Sequence, residues 1–279
     1  MNDSYTRITI VIPSFNQGCY IGEALKSIVL QQYPNVEIIV MDGGSTDNSV
    51  EIIKQYDKFI TYWQSEKDNG QSAAINAGFK KATGTFVTWL NSDDVLIKGT
   101  LFAVDKAIKE NPKVNFFLGN CFWMDSAGKI VRPRKAEKEC WWWNKHYLLG
   151  SGGPSAFMRK SCLAEIGYLR EDFHYCMDGE LWYRFIKNGH RFVRIKQYCW
   201  GFRIHEKAKT GCHLFKNASP ADVIKLRSTM SEEKRRIRKL YPRNTMLIRL
   251  WRLRKMFLIT SWSRIFDKRL IGKHYSSFT

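Results

Sequence analysis

Paired cysteines are missing from this chain. Its seven cysteines, Cys19, Cys121, Cys140, Cys162, Cys176, Cys199 and Cys212, are scattered, odd in number and never in a C-x-x-C arrangement. That argues against a disulfide framework and against a structural zinc site. No run of 18 or more apolar residues is present and no charged-apolar-small leader opens the chain, so neither a membrane span nor a secretory signal is expected. Internal repeats and low-complexity tracts are also missing. Acidic residues become scarce in one region only: from Lys234 onward there are 14 basic residues and one acid, Asp267. Together these features lead to the expectation of a cytosolic protein, either soluble or attached to a surface.

What is present is enough for a substantial core. The 279 residues, 44% apolar and 14% aromatic, suit one large α/β domain with a smaller appendage. The formal charge of +19 is unevenly placed. Residues 1–120 hold 11 Lys/Arg against 13 Asp/Glu, a net of −2, and residues 121–279 hold 34 against 13, a net of +21. A polyanionic partner for the second part follows: nucleic acid, acidic lipid or a phosphorylated acceptor.

Apolar runs and helical spacings alternate along the first part. Strands are expected at Arg7–Pro13, Val36–Met41, Phe59–Trp63, Thr85–Leu90 and Asn115–Gly119. Helices are expected at Ile21–Gln31, Asn48–Gln55 (capped by Ser45 or Thr46), Ser72–Ala82, Thr100–Glu110, Ser161–Gly167 and Asp178–Asn188. Alternation of this kind means βαβ units and a mostly parallel sheet. From Ser219 the pattern is helical and basic.

Three polar turns follow three of these strands: Pro13-Ser14-Phe15-Asn16, Asp42-Gly43-Gly44-Ser45 and Asn91-Ser92-Asp93-Asp94. In a parallel sheet they share one edge, where an open α/β fold binds ligands. Carboxylates there suit a hard cation such as Mg²⁺ or Mn²⁺, which also holds nucleotide phosphates. Asp42 is positioned to accept from a base N–H and Phe15 to pack beside the base. Each turn read singly is also ordinary turn and cap chemistry; their convergence is what favours a nucleotide pocket.

These motifs resemble those of family 2 glycosyltransferases with the GT-A fold, of the bacterial cell-surface polysaccharide type. The resemblance rests on Ile10–Asn16, Asp42–Asp47, Asp68-Asn69-Gly70-Gln71-Ser72-Ala73-Ala74-Ile75-Asn76-Ala77-Gly78 and Leu90–Asp94. Met177–Arg184 resembles an acceptor-side acidic motif, and Phe202-Arg203-Ile204-His205 with Lys209-Thr210 resembles a segment closing the site. It covers about residues 7–210 and implies a GT-A domain over 1–218, with 219–279 as a basic helical extension. It further implies an inverting transfer from a nucleotide-diphosphate sugar, by default a UDP-sugar, to a hydroxyl of a glycan or polyprenyl-linked saccharide.

The resemblance also implies residue roles. Pro13, Ser14, Phe15, Asn16, Asp42, Asp68, Gly70, Asn76 and Asp93 would bind the nucleotide-sugar. Asp94 would be the main ligand of a divalent cation, Mg²⁺ or Mn²⁺, with Asp93 contacting ribose or metal and His205 a further ligand or diphosphate contact. Asn91 and Gly43 stand where many relatives carry acids, which leaves the ligand count open. Asp178 is the candidate general base and Glu180 its competitor; a first-turn acid stabilising a helix is the other reading of Asp178. Trp141, Trp142 and Trp143 fit an acceptor wall, a membrane-interface contact or core filling equally well.

Met246–Leu270 carries Leu247, Trp251, Leu258, Trp262 and Ile265 on one helical stripe among basic residues. It suits peripheral contact with an anionic membrane or packing on the catalytic domain. Nucleic-acid binding is not expected, since no reader motif accompanies the charge. A nucleotidyltransferase would want a basic first loop, and Pro13–Gly18 has no Lys or Arg. Transfer to a polyprenyl phosphate remains the alternative within the fold.

Overall fold

Alternation along the strands sorts side chains to two faces of a central sheet. In the computed structural model, which describes residues 5–136, 153–210, 219–242 and 270–278, every residue of β1 (Ile8–Ser14) is buried. Ile8, Ile10 and Ile12 join one core cluster with α1 (Gly18–Val29) and α4 (Thr100–Glu110). Val11 points the other way, into a cluster with α3 (Gln71–Lys81), as the two-residue period of a strand requires. A strand covered by helices on both faces reads as the unbroken apolar run Ile8–Ile12.

The remaining strands are β2 (Val36–Asp42), β3 (Tyr62–Ser65), β4 (Phe86–Trp89), β5 (Val95–Leu96), β6 (Phe116–Met124), β7 (Ile130–Arg134), β8 (Ala156–Arg159) and β9 (Phe192–Arg203). Their spatial order is β3-β2-β1-β4-β8-β6-β9-β5, with β7 paired to β6. β1 runs parallel to β2 and β4, and β2 to β3, so the C-terminal ends of these strands share one edge. β6 and β9 are also parallel, whereas β8, β7 and β5 pair antiparallel. The helices α2 (Ser49–Gln55), α5 (Lys160–Ile166), α6 (Met177–Lys187) and α7 (Pro220–Leu240) complete the regular elements. Among the described residues no helix is long and apolar enough to cross a membrane.

Two close approaches fix the layers. A Cβ on Gly78 of α3 would meet Val11 Cγ1 at 2.3 Å, so only glycine lets α3 lie this near β1. On the same face Trp182 of α6 stacks on Trp89 and Phe116, with centroids 5.7 and 4.8 Å apart.

Local expectations needed three corrections. The third strand begins at Tyr62, because Asp57–Phe59 form a 3₁₀ turn held by Trp63 Nε1 donating to Asp57 Oδ1 at 2.8 Å. The N-cap of α2 is Asn48; Ser45 is engaged by Asp42 instead. The strand expected to stop at Gly119 runs on to Met124, since β9 and β7 continue to pair with it. The helix expected from Ser219 is α7, whose Ile237 is fully buried in the α3–α6 cluster. The stripe Met246–Leu270 and Trp141, Trp142 and Trp143 lie outside the described residues, apart from Leu270.

Candidate active site

The edge formed by the C-terminal ends of β1, β2 and β4 opens into a cleft of about 1120 Å³. Donor-side expectations divide there. Pro13, Ser14, Phe15, Asp68, Gly70 and Asp93 line it. Phe15 is 60% exposed at the cleft, and the buried Ser14 hydroxyl has no hydrogen-bond partner among the described residues. Phe15 presents a flat apolar face to a ligand, and Ser14 leaves an unpaired buried polar atom in the cleft wall.

Asp42, Asn16 and Asn76 do not line the cleft; they build its walls. Asp42 is buried, its carboxylate accepting from Ser45 N at 2.8 Å, Ser45 Oγ at 2.6 Å and Ser65 Oγ at 2.6 Å. Asn16, at a left-handed φ of 51°, accepts from Thr46 N at 2.8 Å through Oδ1, while its own N–H donates to Ser45 Oγ at 2.8 Å. These bonds tie the turn after β1 to the turn after β2. Asn76 is buried and exchanges two bonds with Leu169, Nδ2 to the carbonyl at 2.9 Å and Oδ1 from the amide at 3.0 Å. The carboxylate of Asp68 occupies the space a side chain at position 43 would fill: a Cβ on Gly43 would lie 3.0 Å from Asp68 Oδ2.

The acidic turn after β4 is asymmetric. Asp93 faces the cleft, its Oδ2 3.1 Å from His205 Nε2. Asp94, expected as the main metal ligand, is 1% exposed and absent from the lining. Its Oδ1 accepts from Arg203 N at 2.8 Å and its Oδ2 from Asn91 Nδ2 at 2.8 Å. Burial, then the charge of Asp93, push its carboxyl well above the usual range. Asn91 in turn accepts from Gln71 Nε2 at 2.9 Å, and Gln71 Oε1 accepts from Lys209 Nζ at 2.8 Å. Burial brings the Lys209 pKa down to about 8, against the pull of Glu233 and Asp178.

On the acceptor side Asp178 lines the cleft in the first turn of α6. Burial raises its pKa, opposed by the Gly179 amide at 2.6 Å and by Lys209. Glu180, the competing base, is fully buried and points elsewhere. Arg184 grips it through Nε at 2.9 and 3.0 Å and Nη2 at 2.8 Å, and Tyr241 OH donates at 2.6 Å.

Two further groups carry the site in ways the sequence does not announce: Glu233, which no motif marks, and Arg203, whose motif signals only a segment closing the site. Glu233 of α7 accepts from the backbone amides of His174, Tyr175 and Cys176 at 2.6, 2.9 and 2.8 Å, fixing the loop that leads into Asp178. Arg203, 2% exposed, holds the Asp93 carbonyl through Nε at 2.8 Å. The partners of these two residues stand 57 to 180 positions away, beyond any local spacing rule.

One other group, Cys162, Glu165 and His190, has metal-ligand atoms close together among the described residues. Asn115 Oδ1 is taken by Arg159 Nε at 2.8 Å, which turns its Nδ2 toward His190 Nδ1 at 3.2 Å. Nε2 then carries the ring proton and has no lone pair to offer a cation.

With fold and cleft in place, the comparisons agree. The chain belongs to glycosyl transferase family 2, whose model matches residues 9–167. An uncharacterized glycosyltransferase of Haemophilus influenzae is 38% identical over 116 residues, which is 40% of this chain and 43% of that protein. An uncharacterized glycosyltransferase of Methanocaldococcus jannaschii is 26% identical over 205 residues, 71% of this chain and 70% of that one. The Streptococcus pneumoniae glycosyltransferase GlyA is 38% identical over 107 residues, 37% of this chain and 15% of GlyA. The matched part therefore spans less than half the length of two of these three relatives. Among solved structures, S. aureus TarS residues 1–349 in complex with UDP-GlcNAc superposes with a TM-score of 0.60 at 21% identity, covering 79% of this chain and 64% of that one. At that identity the likeness speaks for the fold, which is GT-A.

Proposed function

We propose that this chain is an inverting glycosyltransferase that moves a sugar from a nucleotide-diphosphate sugar to an acceptor hydroxyl. The observation that carries the reading is one cleft lined by Phe15, Ser14, Asp68, Asp93 and Asp178, with His205 buried behind Asp93. UDP is the donor nucleotide of choice because TarS, of like fold, is described in complex with UDP-GlcNAc and with UDP.

Asp93 offers the cleft a carboxylate oxygen, a donor that fits Mg²⁺ or Mn²⁺ with phosphate oxygens and water completing the shell, and the buried imidazole of His205, 3.1 Å behind it, orients that carboxylate. A cation held there supplies Lewis-acid neutralisation of the departing diphosphate. The protein's own residues do the rest. Phe15 covers the base and the Ser14 hydroxyl hydrogen-bonds the donor. Asp178 takes the proton of the acceptor hydroxyl as its oxygen bonds to the anomeric carbon, and the bond from that carbon to the diphosphate oxygen breaks with its electron pair leaving on the diphosphate. The raised pKa of Asp178 makes it a stronger base than an exposed aspartate.

The acceptor is a saccharide or a polyprenyl-linked saccharide, and transfer to a polyprenyl phosphate itself is the second reading. Lys207 and Lys234 favour a phosphate-bearing acceptor: both line the cleft, and neither has an ion-pair partner among the described residues. Peripheral contact of the basic C-terminal part with an anionic membrane belongs to the same reading, and loss of residues 246–279 should then abolish sedimentation with anionic vesicles. The deciding experiment screens nucleotide sugars for thermal stabilisation and metal-dependent hydrolysis. A UDP-sugar active only with Mg²⁺ or Mn²⁺ supports the proposal, and inactivity across the panel with both metals rejects it.

A further inference from the structure

Residues 270–278 lie against the β6–β7 hairpin. Ile130 N donates to Lys273 O at 2.8 Å, Gly272 N to Ile130 O at 2.8 Å and Tyr275 N to Gly128 O at 3.0 Å. Leu270, Tyr275 and Phe278 pack on the cluster of Val95, Ile97, Phe122, Met124 and Ile130. Anchored this way, the Tyr275 hydroxyl reaches across 252 positions to donate to Glu23 Oε1 on α1. The other oxygen of Glu23 accepts from Arg203 Nη2 at 2.5 Å.

Arg203 is a buried cation whose hydrogen bonds converge on the acidic turn. Its Nε donates to the Asp93 carbonyl at 2.8 Å, its Nη1 to the Ser126 carbonyl at 2.9 Å and its backbone N–H to Asp94 Oδ1 at 2.8 Å. A buried guanidinium is tolerated only while its charge is paired and its donors are met. The Glu23 side chain is one-third exposed, so an unrestrained carboxylate there is free to turn into water. Tyr275 removes that freedom from one oxygen and leaves the other for Arg203.

We propose that Tyr275 is a positioning residue for the Asn91–Asp94 turn: through Glu23 and Arg203 the C-terminal segment holds the Asp93 backbone and the Asp94 carboxylate, and so keeps Asp93 facing His205. The segment is thereby part of the catalytic architecture. Burial and the neighbouring Glu23 raise the Tyr275 pKa, so the phenol stays a donor throughout the neutral range. The consequence for catalysis rests on the glycosyltransferase reading; the structural coupling does not.

The test uses full-length Tyr275→Phe and Glu23→Gln, with Ser277→Ala as a control in the same segment, whose hydroxyl bonds only locally to the His274 carbonyl at 2.8 Å. Hydrogen exchange of the metal-free proteins should show the Asp94 and Arg203 amides exchanging about tenfold faster in both variants, the effect of losing one hydrogen bond to a charged group, while the β1 amides keep their protection and Ser277→Ala matches the parent. Mn²⁺ binding in the presence of UDP, followed by electron paramagnetic resonance, should weaken severalfold in the two variants, with the acceptor KM unchanged. Parental exchange at Asp94 and Arg203 in either folded variant overturns the proposal. Faster exchange in a protein with no activity on any nucleotide sugar upholds the brace and rejects the transferase reading instead.

Discussion

Asp178 and Glu180 stand two positions apart at the start of α6, yet only the first carboxyl lines the cleft; the second is sealed among Arg184 and Tyr241. Their substitutions should therefore separate cleanly. Asp178→Asn is expected to lower transfer by about 10²–10⁴-fold, the usual range for a lost general base, with UDP-sugar binding unchanged by calorimetry. Glu180→Gln should keep measurable transfer but cost about 3 kcal/mol of stability, because it breaks a buried ion pair. Denaturant unfolding beside steady-state rates checks both.

The pH profile follows from the same carboxyl. As the proposed base Asp178 must be ionised, and burial raises its pKa, so transfer should be lost as pH falls through a value above the ordinary aspartate figure of about 3.9. On the alkaline side Lys209 loses its charge near pH 8, and the rate should decline there. Lys209→Arg, which stays charged, should move that limb upward. An alkaline limb that stays in place in Lys209→Arg would remove Lys209 from the reaction.

Asp93 is the proposed metal ligand and His205 its buried support, so chelation should stop donor hydrolysis and added Mn²⁺ should restore it. His205→Ala should raise the Mn²⁺ concentration for half-maximal rate about tenfold or more, the scale on which metal-site support residues act. Asp94→Asn should act mainly on stability, since both its oxygens are engaged inside the protein. Metal titrations and melting curves distinguish the two.

Glu233 meets three backbone amides at once, and Glu233→Ala would leave them unpaired, that of Cys176 buried and those of His174 and Tyr175 half-buried. At about 1 kcal/mol or more for each orphaned donor, a total near 3 kcal/mol is expected, or a Tm lower by roughly 6–12 °C for a domain of this size. Because those amides belong to the loop before Asp178, the acceptor KM should rise more than the donor KM.

Gly78→Ala should cost about 1–3 kcal/mol by overpacking against Val11. The double variant Gly78→Ala, Val11→Ala should recover part of that loss, and a double-mutant cycle by chemical unfolding measures the coupling.

Much of the scaffold was legible before any coordinates. The runs Ile8–Ile12 and Val36–Met41 and the helical spacing of Ala74, Ile75 and Phe79 declare strands and a helix because local period and burial coincide there. The site was legible as a set of turns but not as a set of roles. Asp42, Asn76 and Asp94 carry the same polar chemistry as Asp68, Ser14 and Asp93, and a one-dimensional pattern cannot tell an oxygen facing a cleft from one spent inside a wall.

The amino-acid sequence by itself determined the α/β class and the edge where the polar turns meet, since both depend on short-range spacing, and its motifs determined the family. Tertiary structure alone decided which acid of the Asp93–Asp94 pair faces the cleft, that Glu180 holds Arg184 and Tyr241, and that Glu233, Arg203 and Tyr275 reach back to the site. Those outcomes depend on burial and on hydrogen bonds between residues far apart in the chain. They exist only once the sheet has brought its distant strands and its C-terminal segment together.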